Sequence, residues 1–155
     1  MDETSKYFTT LLTNLLRLCY DNSMITIKNN NNKILYASTT AENLAQAVEE
    51  AVALGIPLTC ADLRKADLRG GNFRKGQFKW ATFAYAKLQG ADFTDASLQG
   101  CNMVKANLHD AILVNTYFDC GCLDYARMDL KDMGETSFDR VNLNRVQFKY
   151  GWSVV

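Results

Sequence analysis

The sequence has no apolar stretch approaching the roughly 20 residues that a membrane-spanning helix needs. It opens on the acidic, polar run from Met1 to Lys6, without the basic flank and apolar centre of a secretory signal. It has no excess of charge: seventeen Lys and Arg stand against seventeen Asp and Glu. No global field therefore draws the chain to nucleic acid or makes it an acidic imitation of one. It has one proline, Pro57, and one histidine, His109. These absences point to a folded cytoplasmic chain without membrane contact. Its 155 residues, 48% of them hydrophobic, suit one ordinary domain or a small domain joined to a repeat array.

Cysteine is present but unpaired in pattern. Cys19, Cys60, Cys101, Cys120 and Cys122 are odd in number and lack zinc-ribbon spacing, and His109 stands in no cysteine–histidine spacing that would serve a metal. Free thiols in a reducing compartment, no metal and no cofactor are expected. Catalytic groups are equally scarce. His109 follows a core leucine and so points outward beside Asp110, as an ordinary surface histidine does. Gly70-Gly71 is not followed by the Lys-Ser/Thr of a phosphate-binding loop. An enzyme is not expected.

What the chain does have is a period. In "CADLRKADLRGGNFRKGQF", starting at Cys60, a bulky apolar residue recurs every fifth position at Leu63, Leu68, Phe73 and Phe78. The eighteen positions from 63 to 148 in steps of five hold eight Leu, seven Phe and three Met. At the chain's own hydrophobic frequency such a run has a chance of roughly two in a million, so it is a repeat. Two residues before each of these, from Ala61 to Ala126, all fourteen positions are small: Ala, Gly, Cys or Thr. A large and a small residue two apart point the same way in extended chain, and the remaining pair must turn a corner. Such a unit buries almost nothing alone, so the units must wind into a coil whose turns share one interior column. The small position then becomes Lys131, Thr136, Val141 and Val146. A lysine is not buried unpaired, so a bulge is expected near "DLKDMGE".

"ADLRKADLRGGNF" and "ADFTDASLQGCNMVKANLHDA" resemble the A-[DN]-L-x-x signature of pentapeptide-repeat proteins over residues 56–150. The resemblance implies a mainly β fold, a right-handed quadrilateral β-helix with four pentapeptides per coil, in which residues twenty apart stack about 4.8 Å from one another. Residues 56–155 are assigned to this coil and residues 1–55 to a small N-terminal α+β cap. In the cap, "MITIKNNNNKILYAS" reads as a hairpin around an asparagine-rich turn. "TTAENLAQAVEEAVALG" reads as a helix with Thr40 as N-cap and Gly55 as its stop. Together with the coil this leader is similar to that of small pentapeptide-repeat proteins of phages and prophages, which would place the protein in a host cytoplasm.

Two segments suit self-association, and a homodimer is expected through one of them. Residues 3–20 place Phe8, Leu11, Leu12, Leu15, Leu16 and Cys19 on one helical side; packing on the cap is the alternative use of that face. At the other end no helix follows the coil, leaving strand edges with Phe148, Tyr150, Trp152 and Val154.

Stacking by twenty also makes distant surface residues neighbours. The second residue after the core position gives the column Lys65, Tyr85, Lys105, Tyr125 and Arg145, which alternates cations with aromatics. Charge runs along the axis as well: residues 61–80 carry six basic against two acidic side chains, and residues 121–140 three against five. The basic residues form a collar around all four faces, with Glu42, Glu49 and Glu50 of the cap near enough to neutralise part of it. Some pentapeptide-repeat proteins resemble duplex DNA and protect DNA gyrase. This chain departs from them in its neutral charge, its cap and its short coil. The expected function is a non-enzymatic protein-interaction module that binds and modulates, by inhibition or protection, a protein acting on nucleic acid. The alternatives are an assembly scaffold and direct nucleic-acid binding through the same column.

Overall fold

The computed structural model describes residues 24–132 and 134–148. The chain enters through a two-stranded antiparallel hairpin, β1 (Ile25–Lys28) and β2 (Ile34–Ser38), with Ile25 opposite Ser38 and Ile27 opposite Tyr36. Its turn uses asparagine for a physical reason. Asn29 Oδ1 accepts the backbone N–H groups of Asn31 and Lys33, and Asn32 takes φ +63°, a conformation Asn tolerates better than most residues.

Helix α1 (Leu44–Ala53) follows. Its N-cap is Asn43, not Thr40. Asn43 is extended, and its side chain accepts the N–H of Gln46, while Gln46 Oε1 returns to accept from Glu42 N–H. This is a capping box whose return bond falls one residue early. Thr40 is used differently: its hydroxyl donates to Glu50 at 2.8 Å, and the hydroxyls of Ser38 and Tyr36 reach the other oxygen of the same carboxylate. Burial alone would raise the Glu50 carboxyl, but these three hydroxyls outweigh it and hold it below its ordinary value. Gly55 ends the helix at φ +69°, with Ile56 N–H on the Ala51 carbonyl and its own N–H on that of Val52. The left-handed residue there is the ordinary reason for a C-terminal glycine.

The coil then begins, with its first interior residue at the fully buried Leu58. It is a right-handed quadrilateral β-helix. Residues twenty apart are parallel bridge partners, from Asp62–Thr82 to Arg127–Gln147. Each interior residue donates its N–H one coil forward, as Leu63 does to the Thr82 carbonyl, and each outward strand residue donates one coil back, as Thr82 does to Ala61. Corners close with a bond from the small residue to the interior residue three before it, as Ala66 to Leu63. The second corner residue carries φ between 53° and 61° at every non-glycine corner from Cys60 to Tyr125, and again at Arg140 and Arg145. A left-handed residue third in a four-residue turn is the type II requirement.

The interior is closed to solvent. From Leu58 to Leu123 the large interior residues are 0% exposed, and Phe73, Phe78, Phe83 and Phe93 meet at centroid distances of 5.2–6.1 Å, mostly edge to face. The small position does more than leave room. A Cβ at Gly76 would stand 2.3 Å from the Phe78 ring and 3.0 Å from the Phe73 carbonyl oxygen, so the phenylalanine folds back over its own glycine. Where the small position is polar, its side chain finds a carbonyl: Thr116 Oγ1 donates to Phe93 O and Cys101 Sγ to Phe78 O, both at 2.9 Å.

The bulge lies where the lysine breaks the pattern. Lys131 N–H takes the Ala111 carbonyl that the regular ladder would give to residue 132, Leu130 N–H turns back to Met128, and Lys131 is exposed. Leu130 has no positive φ; the left-handed residue of the next corner is Gly134. Beyond it Phe138, Leu143 and Phe148 are only half-buried.

The cap covers the first coil by occupying its free donors. Asp62 N–H reaches the Lys28 carbonyl at 2.8 Å and Asn72 N–H reaches Glu49 Oε1 at 2.7 Å. Glu49 and Glu50 therefore build the cap and do not neutralise the basic collar.

Two substitutions test this packing by thermal unfolding. Phe93→Ala is expected to cost about 3–5 kcal/mol, because stacked coils cannot collapse into the space; a loss below about 1 kcal/mol would remove Phe93 from the interior. Gly76→Ala should cost about 1–3 kcal/mol by forcing the Phe78 ring off its seat.

Candidate interaction surface

The corner column is assembled as the spacing requires. Lys65, Tyr85, Lys105, Tyr125 and Arg145 all take left-handed φ, and the N–H of each of the first four is bonded to the coil ahead. Lys65, Tyr85, Lys105 and Arg145 are exposed and Tyr125 is half-buried. Lys105 Nζ lies between two rings, 5.3 Å from the centroid of Tyr85 and 5.7 Å from that of Tyr125, and the Arg145 guanidinium lies 5.1 Å from Tyr125 on its other side. Each such contact contributes about 0.5–1 kcal/mol at an exposed site. The column is thus a pre-ordered strip in which long side chains support one another. Chain positions spread over eighty residues have become a single row.

The basic collar is more selective than its composition. Arg64 is clamped on Asp62 and Arg69 on Asp67, each through two guanidinium bonds, and Arg74 reaches Asp92 in the next coil at 3.1 Å. The Arg64 hydrogen bonds hold the Asp62 carboxyl below its ordinary range. Lys65, Lys75 and Lys79 make no ion pair among the described residues. These three are the cations left over for a partner. His109 stands between Asp110 and Asp129, with a ring nitrogen 3.2 Å from one and 3.3 Å from the other.

Trp80 is a surface residue that the repeat pattern did not single out. It is 56% exposed, and a Cβ at Gly100 would fall 2.2 Å from its ring, so the indole lies flat across the glycine of the coil above. Tyr117, on the strand face beside it, is 57% exposed. A tryptophan followed by a glycine twenty residues later is the signal that marks this contact.

Cys60, Cys101, Cys120 and Cys122 are free thiols. Burial pushes the Cys101 thiol far up from its usual value. Among the described residues no three His, Cys, Asp or Glu side chains are grouped to hold a metal, and no helix is long and apolar enough to cross a membrane. Phe148 is the one suggested self-association residue that the structure describes. Leu12, Leu15, Tyr150, Trp152 and Val154 lie outside the described residues.

The family described as pentapeptide repeats matches residues 77–115 in eight copies. No curated protein sequence matches the chain. Among solved structures, HetL, a pentapeptide-repeat protein involved in heterocyst differentiation regulation in the cyanobacterium Nostoc sp. strain PCC 7120, superposes with a TM-score of 0.58 at 25% identity over 68% of this chain. The chain spans 49% of the length of HetL. Rfr23 of the cyanobacterium Cyanothece 51142 gives a TM-score of 0.35 at 24% identity, over 52% of this chain and 58% of its own. A pentapeptide-repeat protein of the Arabidopsis thaliana thylakoid lumen gives 0.34 at 25% identity, over 52% of this chain and 63% of its own.

A double-mutant cycle on Lys105→Met and Tyr125→Leu is expected to show a coupling of about 0.5–1 kcal/mol in thermal stability; no coupling would mean that ammonium and ring are merely adjacent. In native protein Cys120 should react with a thiol reagent at once and Cys101 only on unfolding, because its thiolate is disfavoured by burial. Equal rates would contradict the packed interior at Cys101.

Proposed function

Since the chain belongs to the pentapeptide-repeat family, whose members are non-enzymatic interaction and structural modules, we propose that it binds and modulates a protein acting on nucleic acid. The contact is made through the corner column from Lys65 to Arg145. The observation that carries this reading is Lys105 held between Tyr85 and Tyr125. A rigid scaffold that presents aromatic and cationic side chains in one row has already met most of the ordering cost of binding, and Tyr and Arg are the residues on which such contacts concentrate. Inhibition or protection of this kind needs no catalytic group, only a surface that occupies another protein's working groove.

Direct binding of single-stranded nucleic acid is less well supported by the same geometry. Stacking of bases requires free ring faces, whereas Tyr125 has a cation on each side and Tyr85 has Lys105 against it. A proteinaceous acidic strip makes better use of a row in which cation and ring are already paired.

Affinity capture from cells tests the proposal. The pair Tyr85→Ser and Tyr125→Ser is expected to abolish recovery of the partner while lowering thermal stability by about 1 kcal/mol or less, since both rings face outward. Capture that survives in this variant would show that the column is not the contact surface. Salt-sensitive binding to DNA by the purified protein would favour the nucleic-acid alternative.

A further inference from the structure

A different face of the coil is complementary to itself. Gln77, Ser97, Tyr117 and Ser137 succeed one another as bridge partners up the strand centres of this face. One flanking corner carries Lys75, Asp95 and Asn115 at its left-handed second position, and in the fourth coil Glu135 follows the left-handed Gly134 there. The other carries Lys79, Gln99, Asp119 and Asp139, followed by Trp80, Gly100, Cys120 and Arg140. The columns that start at Lys75 and Lys79 therefore begin basic and end acidic, with Arg140 beside the last carboxylate of the second, and the centre alternates long and short side chains.

We propose that this face docks a second copy of the chain, with the two coils side by side and antiparallel about a two-fold axis that passes between the second and third residues of each column. That operation lays every column on its own reversed copy. Lys79 then faces Asp139 of the second copy, and Lys75 faces Glu135. The exposed Tyr117 stands over Ser97, and the longer Gln77 over Ser137, so that each bulky group meets a short one. Trp80 meets Arg140, a cation on an open indole face. Because Trp80 lies flat on Gly100, it does not hold the two walls apart.

Three observations select this face and this direction. Parallel packing about a two-fold would exchange the two edges and place Lys75 on Lys79 and Lys79 on Lys75, cation against cation. The corner column from Lys65 to Arg145, reversed on itself, would set cation against cation, so it repels its own copy and stays free for a foreign partner. On the face that carries Asp67 and Lys87, the opposite charges are already used inside the chain: Asp67 by Arg69 and Lys87, and Asp129 by His109. Lys75, Lys79 and Glu135 make no ion pair among the described residues, and Asp139 has only the exposed contact with Arg140 at 3.5 Å. The face is about 14 Å long, three coil spacings. The interface is accordingly small and the association weak, with a dissociation constant of about 10–100 µM at low salt. The corner column lies on an edge that the contact leaves open, so each dimer presents two of them. The inference rests on the coil geometry alone and does not depend on the identity of the partner.

Sedimentation equilibrium at low ionic strength, with a thermal melt on each variant, provides the test. Lys79→Glu and Asp139→Lys should each weaken self-association at least tenfold while leaving the melting temperature in place. The double variant Lys79→Glu, Asp139→Lys should restore it to within about threefold of the parent. Within one chain these two residues are about 14 Å apart, three coils along the axis, so a rescue is not an intrachain ion pair. A parent that remains monomeric, a double variant that stays dissociated, or an association that ignores both single changes and is lost with Trp152→Asp would overturn the proposal.

Discussion

Each corner of the coil turns because one residue accepts φ near +60°. That turn brings the chain back over itself after twenty residues, and every inter-coil hydrogen bond follows from it. For an L-residue such a conformation costs about 1–2 kcal/mol, and here it is adopted by Lys, Tyr, Trp, Asp, Cys and Arg as well as glycine. The cost is offset because each corner places one interior side chain and two ladder donors in register with the neighbouring coils. Where that exchange fails, at Leu130 and Lys131, the left-handed residue disappears, the ladder slips by one donor and the interior beyond is only half-buried.

The same constraint makes the surface a lattice. Side chains at the corners are splayed outward by the left-handed backbone and repeat at the strand spacing, so a sequence period of twenty becomes a row of contacts. One row pairs rings with cations and is satisfied within itself. Another face carries Lys75 and Lys79 at one end, without an ion pair among the described residues, and Glu135 and the exposed Asp139 at the other. The first is suited to a foreign surface and the second to its own copy, because reversing a row reverses the sign of its charge only when that row is polar along the axis.

The cap deals with the end of the lattice. An open coil edge is a template for strand addition, and the hairpin and helix meet it with a backbone carbonyl and a carboxylate. Glu49 and Glu50 read in sequence as loose surface charge. In the structure one accepts a coil N–H and the other gathers three hydroxyls that join hairpin to helix.

The five-residue period marked the interior residues and required a coil without any coordinates, because one extended pair and one corner per unit leave that spacing; that four units make a coil, and hence which surface residues share a column, was implied by the resemblance to pentapeptide-repeat proteins. The bulge was legible too, since a lysine in a small interior position has no other outlet. Tertiary structure alone decided the details that depend on competition between nearby polar groups. Thr40 and Asn43 are both plausible caps in sequence, and it is Glu50, ten residues away from Thr40, that draws the threonine off. The collar reads as six equal cations until the coil places Asp62, Asp67 and Asp92 beside three of them. Trp80 reads as an exposed ring until Gly100, one coil on, gives it a seat. Sequence spacing fixes which residues share a row, but only the packed coil fixes which of them have already found a partner.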